Sequence, residues 1–191
     1  AIGQLTQTAR PIDIAGRVWV DNDLDSKIDA GERMLSDVEL TLFQQQPDGR
    51  YTDTGLRAMT DAQGRYVFPK SLGLMPGTYR IVETQPAGLF SVAAIPGTVS
   101  GASVGSVESL DALTGIAIAD GGTSAIDYDF AEAEPASIGG FVYQDNDNDG
   151  IKDAGEVGIA GVRVRLLPID TLAPQSVLTV TSAADGSYTF T

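Results

Sequence analysis

The stretch Asp145-Asn146-Asp147-Asn148-Asp149-Gly150-Ile151-Lys152-Asp153-Ala154-Gly155-Glu156 decides how the chain is read. Carboxylates stand at its first, third, fifth, ninth and twelfth positions, with glycine at the sixth. A calcium loop needs that spacing. Alternate side chains turn toward one point, glycine permits the sharp turn, and the last glutamate supplies two oxygens. In a calcium sensor such a loop joins two helices. Here Ile138-Gly139-Gly140-Phe141-Val142-Tyr143 precedes it and a strand begins near Val162, with helical periodicity on neither side. Strand flanks give a sensor's helix-pair movement nothing to act on. The expected role is structural: an ion ties down a long loop whose carboxylates otherwise repel one another.

An earlier copy begins at Asp21, 124 residues upstream. Asp21, Asp23, Asp25, Asp29 and Glu32 hold the same five positions, but Ser26 replaces the glycine. Serine makes a turn without glycine's freedom at positive φ. The first loop therefore reads either as a calcium site or as a degenerate one with reduced or no affinity. The expected ligands are Asp21, Asp23 and Asp25 in one loop, and Asp145, Asp147 and Asp149 in the other. Lys27 and Ile151 would offer main-chain oxygens. Asp29 and Asp153 would bind directly or through water, and Glu32 and Glu156 in bidentate fashion. Extracellular calcium modules bind at ~10⁻⁴–10⁻³ M, which is the expectation here, and magnesium tolerates a crowded all-protein shell poorly. Two other acidic pairs, Asp127 with Asp129 and Asp48 with Asp53, read first as solvated turns or faces.

Composition narrows the chemistry. The chain has 191 residues, 42% of them hydrophobic, which is enough for a real core. Its formal net charge of -14 repels nucleic acid and anionic membranes and favours cations. Cysteine and histidine are both absent, so disulfides, thiol catalysis and zinc sites with those ligands are excluded. No serine stands in a nucleophile-elbow context, and the glycine-rich stretch Gly97–Gly105 lacks a phosphate-loop lysine. Catalysis is not expected. No signal peptide and no apolar run of spanning length is visible, so direct membrane insertion is not expected and the sequence reads as a piece of something longer.

The rest of the chain alternates. Ile14, Gly16, Val18 and Val20 begin a strand with one buried face, and Trp19 between them reads as an aromatic covering the sandwich edge. Further strands are expected at Val38–Phe43, about Leu56–Thr60, Arg65–Phe68 and Thr78–Glu83. Pro47-Asp48-Gly49, Asp61–Gly64 and Pro76-Gly77 turn between them. Residues 89–124 read as irregular, with two or three weak strands near Phe90–Ala94, Ser103–Glu108 and Gly115–Ala119. Ile126, Tyr128 and Phe130 form a closing strand. The organisation expected is a linker or tail over 1–12, a first β-sandwich repeat over 13–131, a linker over 132–137 and a second repeat over 138–191. The second repeat matches the first through Asp185-Gly186-Ser187-Tyr188-Thr189-Phe190. Counterparts of Thr78–Glu83 and Ile126–Phe130 do not follow, so the second copy reads as incomplete.

These motifs, in this order, resemble the SdrD B-like domain. Its opening resembles Ile138–Tyr143, the loop through Gly155-Glu156, and Gly158–Val164. Its middle is similar to Thr60–Phe68, Pro76–Tyr79 and Val82–Gly88, and its final strand to Ile126–Phe130. The resemblance implies an all-β, immunoglobulin-like sandwich of the B-type or prealbumin-like kind, repeated in tandem and stabilised by calcium. It implies the same ten carboxylates as ligands, while Ser26 and Met34 depart from the family's glycines. Some relatives carry a lysine–asparagine crosslink. Lys27, Lys70 and Lys152 all lie outside the opening strand, so none is expected here.

The function expected is a calcium-stabilised spacer or stalk module of an extracellular bacterial surface protein, at the cell surface or in the outer matrix. Its partners would be neighbouring repeats of the same polypeptide. Two alternatives remain. One is an adhesin domain that holds a protein ligand on another cell or matrix through residues 89–124. The other is a scaffold component that assembles by strand exchange.

Overall fold

The computed structural model describes residues 10–167 and 177–191. Residues 1–9, most of the expected leading linker, lie outside the described residues. The chain divides after Glu134 into two compact units.

In the first unit, β1 (Asp13–Val20), β2 (Arg33–Met34), β3 (Glu39–Gln45), β4 (Tyr51–Met59) and β5 (Arg65–Phe68) come first. A short 3₁₀ turn, Lys70–Leu72, leads to β6 (Gly77–Glu83), β7 (Phe90–Ile95), β8 (Thr98–Val99) and β9 (Ala102–Ser103). Then follow β10 (Ser106–Ser109), β11 (Ala112–Ile118), β12 (Ser124–Ile126) and β13 (Asp129–Ala133). One sheet runs β7-β13-β1-β12-β8-β9, with β2 and β5 also on β1; the other runs β10-β11-β6-β3-β4. Their apolar residues form one core, with Ile14, Val18 and Phe130 from the first sheet and Leu40, Leu42, Ile81 and Leu113 from the second. The strand residues alternate because each sheet has one face on this core and one in water.

β1 is the spine. It pairs antiparallel with β5, Gly16 opposite Tyr66, and parallel with the closing segment on its other edge. That closing segment is not continuous. β12 pairs with the start of β1 and β13 with its end, and between them Asp127 takes a left-handed φ of 62°. The break places the Tyr128 carbonyl directly over Gly16, where a Cβ would stand 1.8 Å from the oxygen. Tyr66 donates its hydroxyl hydrogen to that same carbonyl at 2.6 Å. A side chain at residue 16 is thus excluded by backbone, not by a movable neighbour.

Three sequence expectations change. The strand expected near Leu56–Thr60 begins at Tyr51. It is the edge of its sheet, so its polar residues cost nothing by facing water. Residues 89–124 are integral to the sandwich: β7 flanks β13, and β11 lies between β10 and β6. Their small residues satisfy a paired strand without the apolar alternation that marks one in sequence. Ile12, placed in the leading linker, is fully buried and donates its N–H to Leu74 O at 2.8 Å. Trp19 is 1% exposed, in keeping with an aromatic that covers the sandwich edge.

The second unit repeats the opening of the first. Its strands are β14 (Ile138–Phe141), β15 (Arg163–Leu166), β16 (Leu178–Thr181) and β17 (Ser187–Phe190). β14 pairs with β17 in the register of β1 with β5, Gly140 opposite Tyr188. β15 pairs with β16, Val164 opposite Val180, as Leu40 stands opposite Ala58. The edge-on pair Tyr188–Phe190 has its ring centroids 6.1 Å apart, as has Tyr66–Phe68. Ile138, Phe141, Val157 and Leu178 are exposed in this unit.

Candidate metal centres

The two acidic loops are built from one hydrogen-bond skeleton. Asp21 accepts the N–H groups of Leu24 at 2.7 Å and Ser26 at 2.8 Å. Asp145 accepts those of Asn148 at 2.7 Å and Gly150 at 3.0 Å. Asp25 accepts the N–H of Lys27, and Asp149 that of Ile151. Glu32 spans its loop, one oxygen on Asn22 N and the other on Asp29 N; Glu156 does the same with Asn146 and Asp153. In each loop the first and last carboxylates therefore brace the backbone from opposite ends. The donated N–H groups partly offset the crowding of negative charge.

The backbones match as well. Leu24 and Ser26 have φ of 62° and 63°, and Asn148 and Gly150 have 68° and 80°. Ser26 thus adopts the left-handed turn that its missing glycine would have taken freely, at a cost of roughly 1–2 kcal/mol for a residue bearing a Cβ. The substitution strains the loop and leaves its course unchanged.

Of the expected ligands, the structure groups Asp21, Asp23 and Asp25 with one oxygen from each within 4.8 Å of the others. In the second loop it groups Asp145, Asp147 and Glu156, and separately Asp147, Asp149 and Asp153. Asp29 and Glu32 stand outside the first group and are tied to each other through Asp29 N. Desolvation, then the charge of Asp25, pushes the Asp23 carboxyl up. The N–H of Gly150, first among several backbone donors, holds Asp145 down. Lys27 at position seven acts through its side chain. Its ammonium lies 2.7 Å from Asp25 Oδ2 and keeps that carboxyl below its usual range. The all-oxygen donor set, held by main-chain bonds and rich in carboxylate, fits a hard divalent cation.

Three of the four acids in the other pairs have partners of their own. Asp129 accepts the N–H of Arg17 at 2.7 Å, and Asp53 holds Arg57 with both oxygens, at 3.0 and 2.7 Å. Asp48 accepts the N–H of Arg50. Lys70 lies 3.6 Å from Asp13.

A third carboxylate group escaped the sequence reading. Glu83, Asp111 and Glu132 come from three segments of the first unit and meet at one end of the sandwich. No short spacing reveals them. The available signal was phase: Glu83 continues the inward run of Tyr79 and Ile81, and Glu132 that of Tyr128 and Phe130. Glu132, assigned to a linker from its sequence, sits fully buried on β13.

No helix among the described residues is long and apolar enough to cross a membrane. The model of the SdrD B-like domain matches residues 12–120 and 136–191. Serine-aspartate repeat-containing protein C of Staphylococcus aureus strain Newman is 33% identical over 153 residues, covering 78% of this chain and 14% of that protein. The strain N315 protein is 34% identical over 149 residues, with the same shares. The chain thus spans about one seventh of the length of the curated relatives it matches. Among solved structures, a streptococcal ancillary pilin aligns at TM-score 0.41 and 17% identity, over 97% of this chain and 50% of that one. The shaft pilin SpaA from Lactobacillus rhamnosus GG aligns at TM-score 0.36 and 14% identity, over 95% and 82%. By its two matched segments, one in each structural unit and each containing an acidic loop, the chain belongs to the SdrD B-like domain family.

Proposed function

We propose that this chain is a calcium-stiffened spacer from a bacterial surface protein, non-catalytic and repeated in tandem. The observation that carries the reading is the pair of strand-flanked acidic loops sharing one hydrogen-bond skeleton. In this reading Asp21, Asp23, Asp25, Asp29 and Glu32 surround one calcium ion, with the main-chain oxygen of Lys27. Asp145, Asp147, Asp149, Asp153 and Glu156 surround another, with the main-chain oxygen of Ile151. Each ion pins a long loop to the strands beside it, so the module resists unfolding and proteolysis while it holds neighbouring repeats apart. Those repeats are its partners, and the cell surface or outer matrix is its setting. No aromatic or arginine cluster in residues 89–124 favours a docked protein ligand.

Calcium-titrated unfolding tests this. A site with a Kd of ~10⁻⁴ M, filled at about 1 mM, stabilises the native state by about 1.4 kcal/mol. Both melting and protease resistance are expected to rise with calcium, and Asp145→Ala to remove the second loop's share. A chain whose melting ignores calcium would end the proposal.

A further inference from the structure

The buried carboxylates away from the loops hold the least explained chemistry in the molecule. Glu83 ends β6, Asp111 lies between β10 and β11, and Glu132 sits on β13. The first two belong to one sheet and the third to the other. Glu83 is 3% exposed and Glu132 is 0%. One oxygen of each carboxylate lies within 4.8 Å of the other two.

Part of the group is framed by hydrogen bonds. Gln85 donates its amide N–H to Glu132 Oε2, and Ser91 bridges Asp111 Oδ1 and the Gln85 side-chain oxygen. This frame holds Glu132 Oε2 and Asp111 Oδ1 and does not reach Glu83. Both Glu83 oxygens and Glu132 Oε1 are buried with no hydrogen-bond partner. No lysine or arginine among the described residues pairs with any of the three acids. Unpaired buried carboxylates are among the costliest arrangements a fold can keep.

We propose that Glu83, Asp111 and Glu132 form a third divalent-cation site, of calcium size, that clips the two sheets of the first unit together. Three or more oxygens from three carboxylates within this span suit an ion bound at about 2.3–2.6 Å. Their hard-oxygen chemistry excludes the softer transition metals as preferred occupants. The site goes beyond the loops because it joins sheet to sheet, whereas each loop ion pins its own loop to the strands beside it. It also touches the first loop: Asp21 N–H donates to the main-chain oxygen of Glu132 at 2.8 Å. In the absence of an ion, burial, then Glu132 and Asp111, pushes the Glu83 carboxyl up to about 9. A proton then does, less well, what the cation does.

Calcium stoichiometry by equilibrium dialysis tests the site in the full chain. Asp23→Asn, Asp25→Asn, Asp147→Asn and Asp149→Asn together disable both loops and leave the cluster untouched. That variant is expected to retain one calcium per chain and to melt higher with calcium than with chelator. Adding Glu83→Gln and Glu132→Gln is expected to remove that ion. In the otherwise native chain, the same two glutamines should lower the stoichiometry by one, whatever the loops do. If the native chain loses one ion to the glutamines while the loop changes alter nothing, the loop reading fails and this one stands. A loop-disabled chain that binds no calcium and shows no calcium-dependent melting overturns the proposal. So does a folded glutamine variant that binds as many ions as its parent. The glutamines are isosteric and remove mutual repulsion, so they are expected to fold in chelator.

Discussion

Gly16→Ala isolates the crossing on which the first unit closes. The new Cβ would lie 1.8 Å from Tyr128 O, 2.6 Å from Tyr128 C and 2.9 Å from a Tyr66 ring carbon. Real Cβ atoms do not approach within 3.0 Å, so the Tyr128 carbonyl must retreat by about 1.2 Å. It cannot do so alone. The Tyr66 hydroxyl bond to Tyr128 O and the Tyr128 N–H bond to Ala15 O both hold it there. Tyr128 and Phe130 on either side are fully buried. Overpacking costs about 1–3 kcal/mol, and each buried hydrogen bond broken adds about 1 kcal/mol or more. The sum is about 4 kcal/mol, a large share of the roughly 5–15 kcal/mol that holds a domain folded. Urea unfolding in chelator, followed by the fluorescence of the single tryptophan, reads this directly, because Trp19 is buried in that unit. Gly140→Ala is the control. There the Cβ meets the end of the Tyr188 side chain at 2.7 Å, which can turn away, and the Trp19 transition should not move. A Gly16→Ala loss below about 1 kcal/mol, or an equal shift from Gly140→Ala, would refute the crossing as the constraint.

Two further outcomes follow from single residues. Ser26→Gly frees the first loop from its left-handed strain and is expected to raise stability by up to about 1 kcal/mol while tightening calcium binding; a lower urea midpoint would contradict this. Asp129 is pushed up to about 6 by burial, ahead of the opposing hydrogen bond from Arg17 N, against about 3.9 in an unfolded chain. The folded state therefore keeps its proton longer. The associated stability is whole below pH ~4 and is lost as pH rises through about 6, up to about 3 kcal/mol in all. Asp129→Asn keeps the acceptor for Arg17 N and removes the titration, so the difference in melting between the two proteins should grow from pH 4 to 6 and then level off. A difference flat across that window would count against the burial of Asp129.

The sequence by itself determined the strands whose side chains alternate and the loops whose carboxylates are close in the chain. β5 and β6 were legible because every second residue meets the core, and the loop from Asp145 to Glu156 because its five carboxylates lie within twelve consecutive residues. Period and local spacing are properties of the chain itself. Tertiary structure decided what depends on residues far apart. Residues 89–124 read as irregular because β8 to β10 are short, β9 and β10 also being exposed, and only their pairing makes them strands. Ser26 left the first loop open between a calcium site and a degenerate one, yet it takes the left-handed turn while donating its N–H to Asp21. The closing strand read as one run, but its break at Asp127 exists because Tyr128 must cross Gly16. Glu83, Asp111 and Glu132 lie on separate segments, so nothing in the linear chain places them together. Only the packing of one sheet on the other brings three like charges within reach of a single ion.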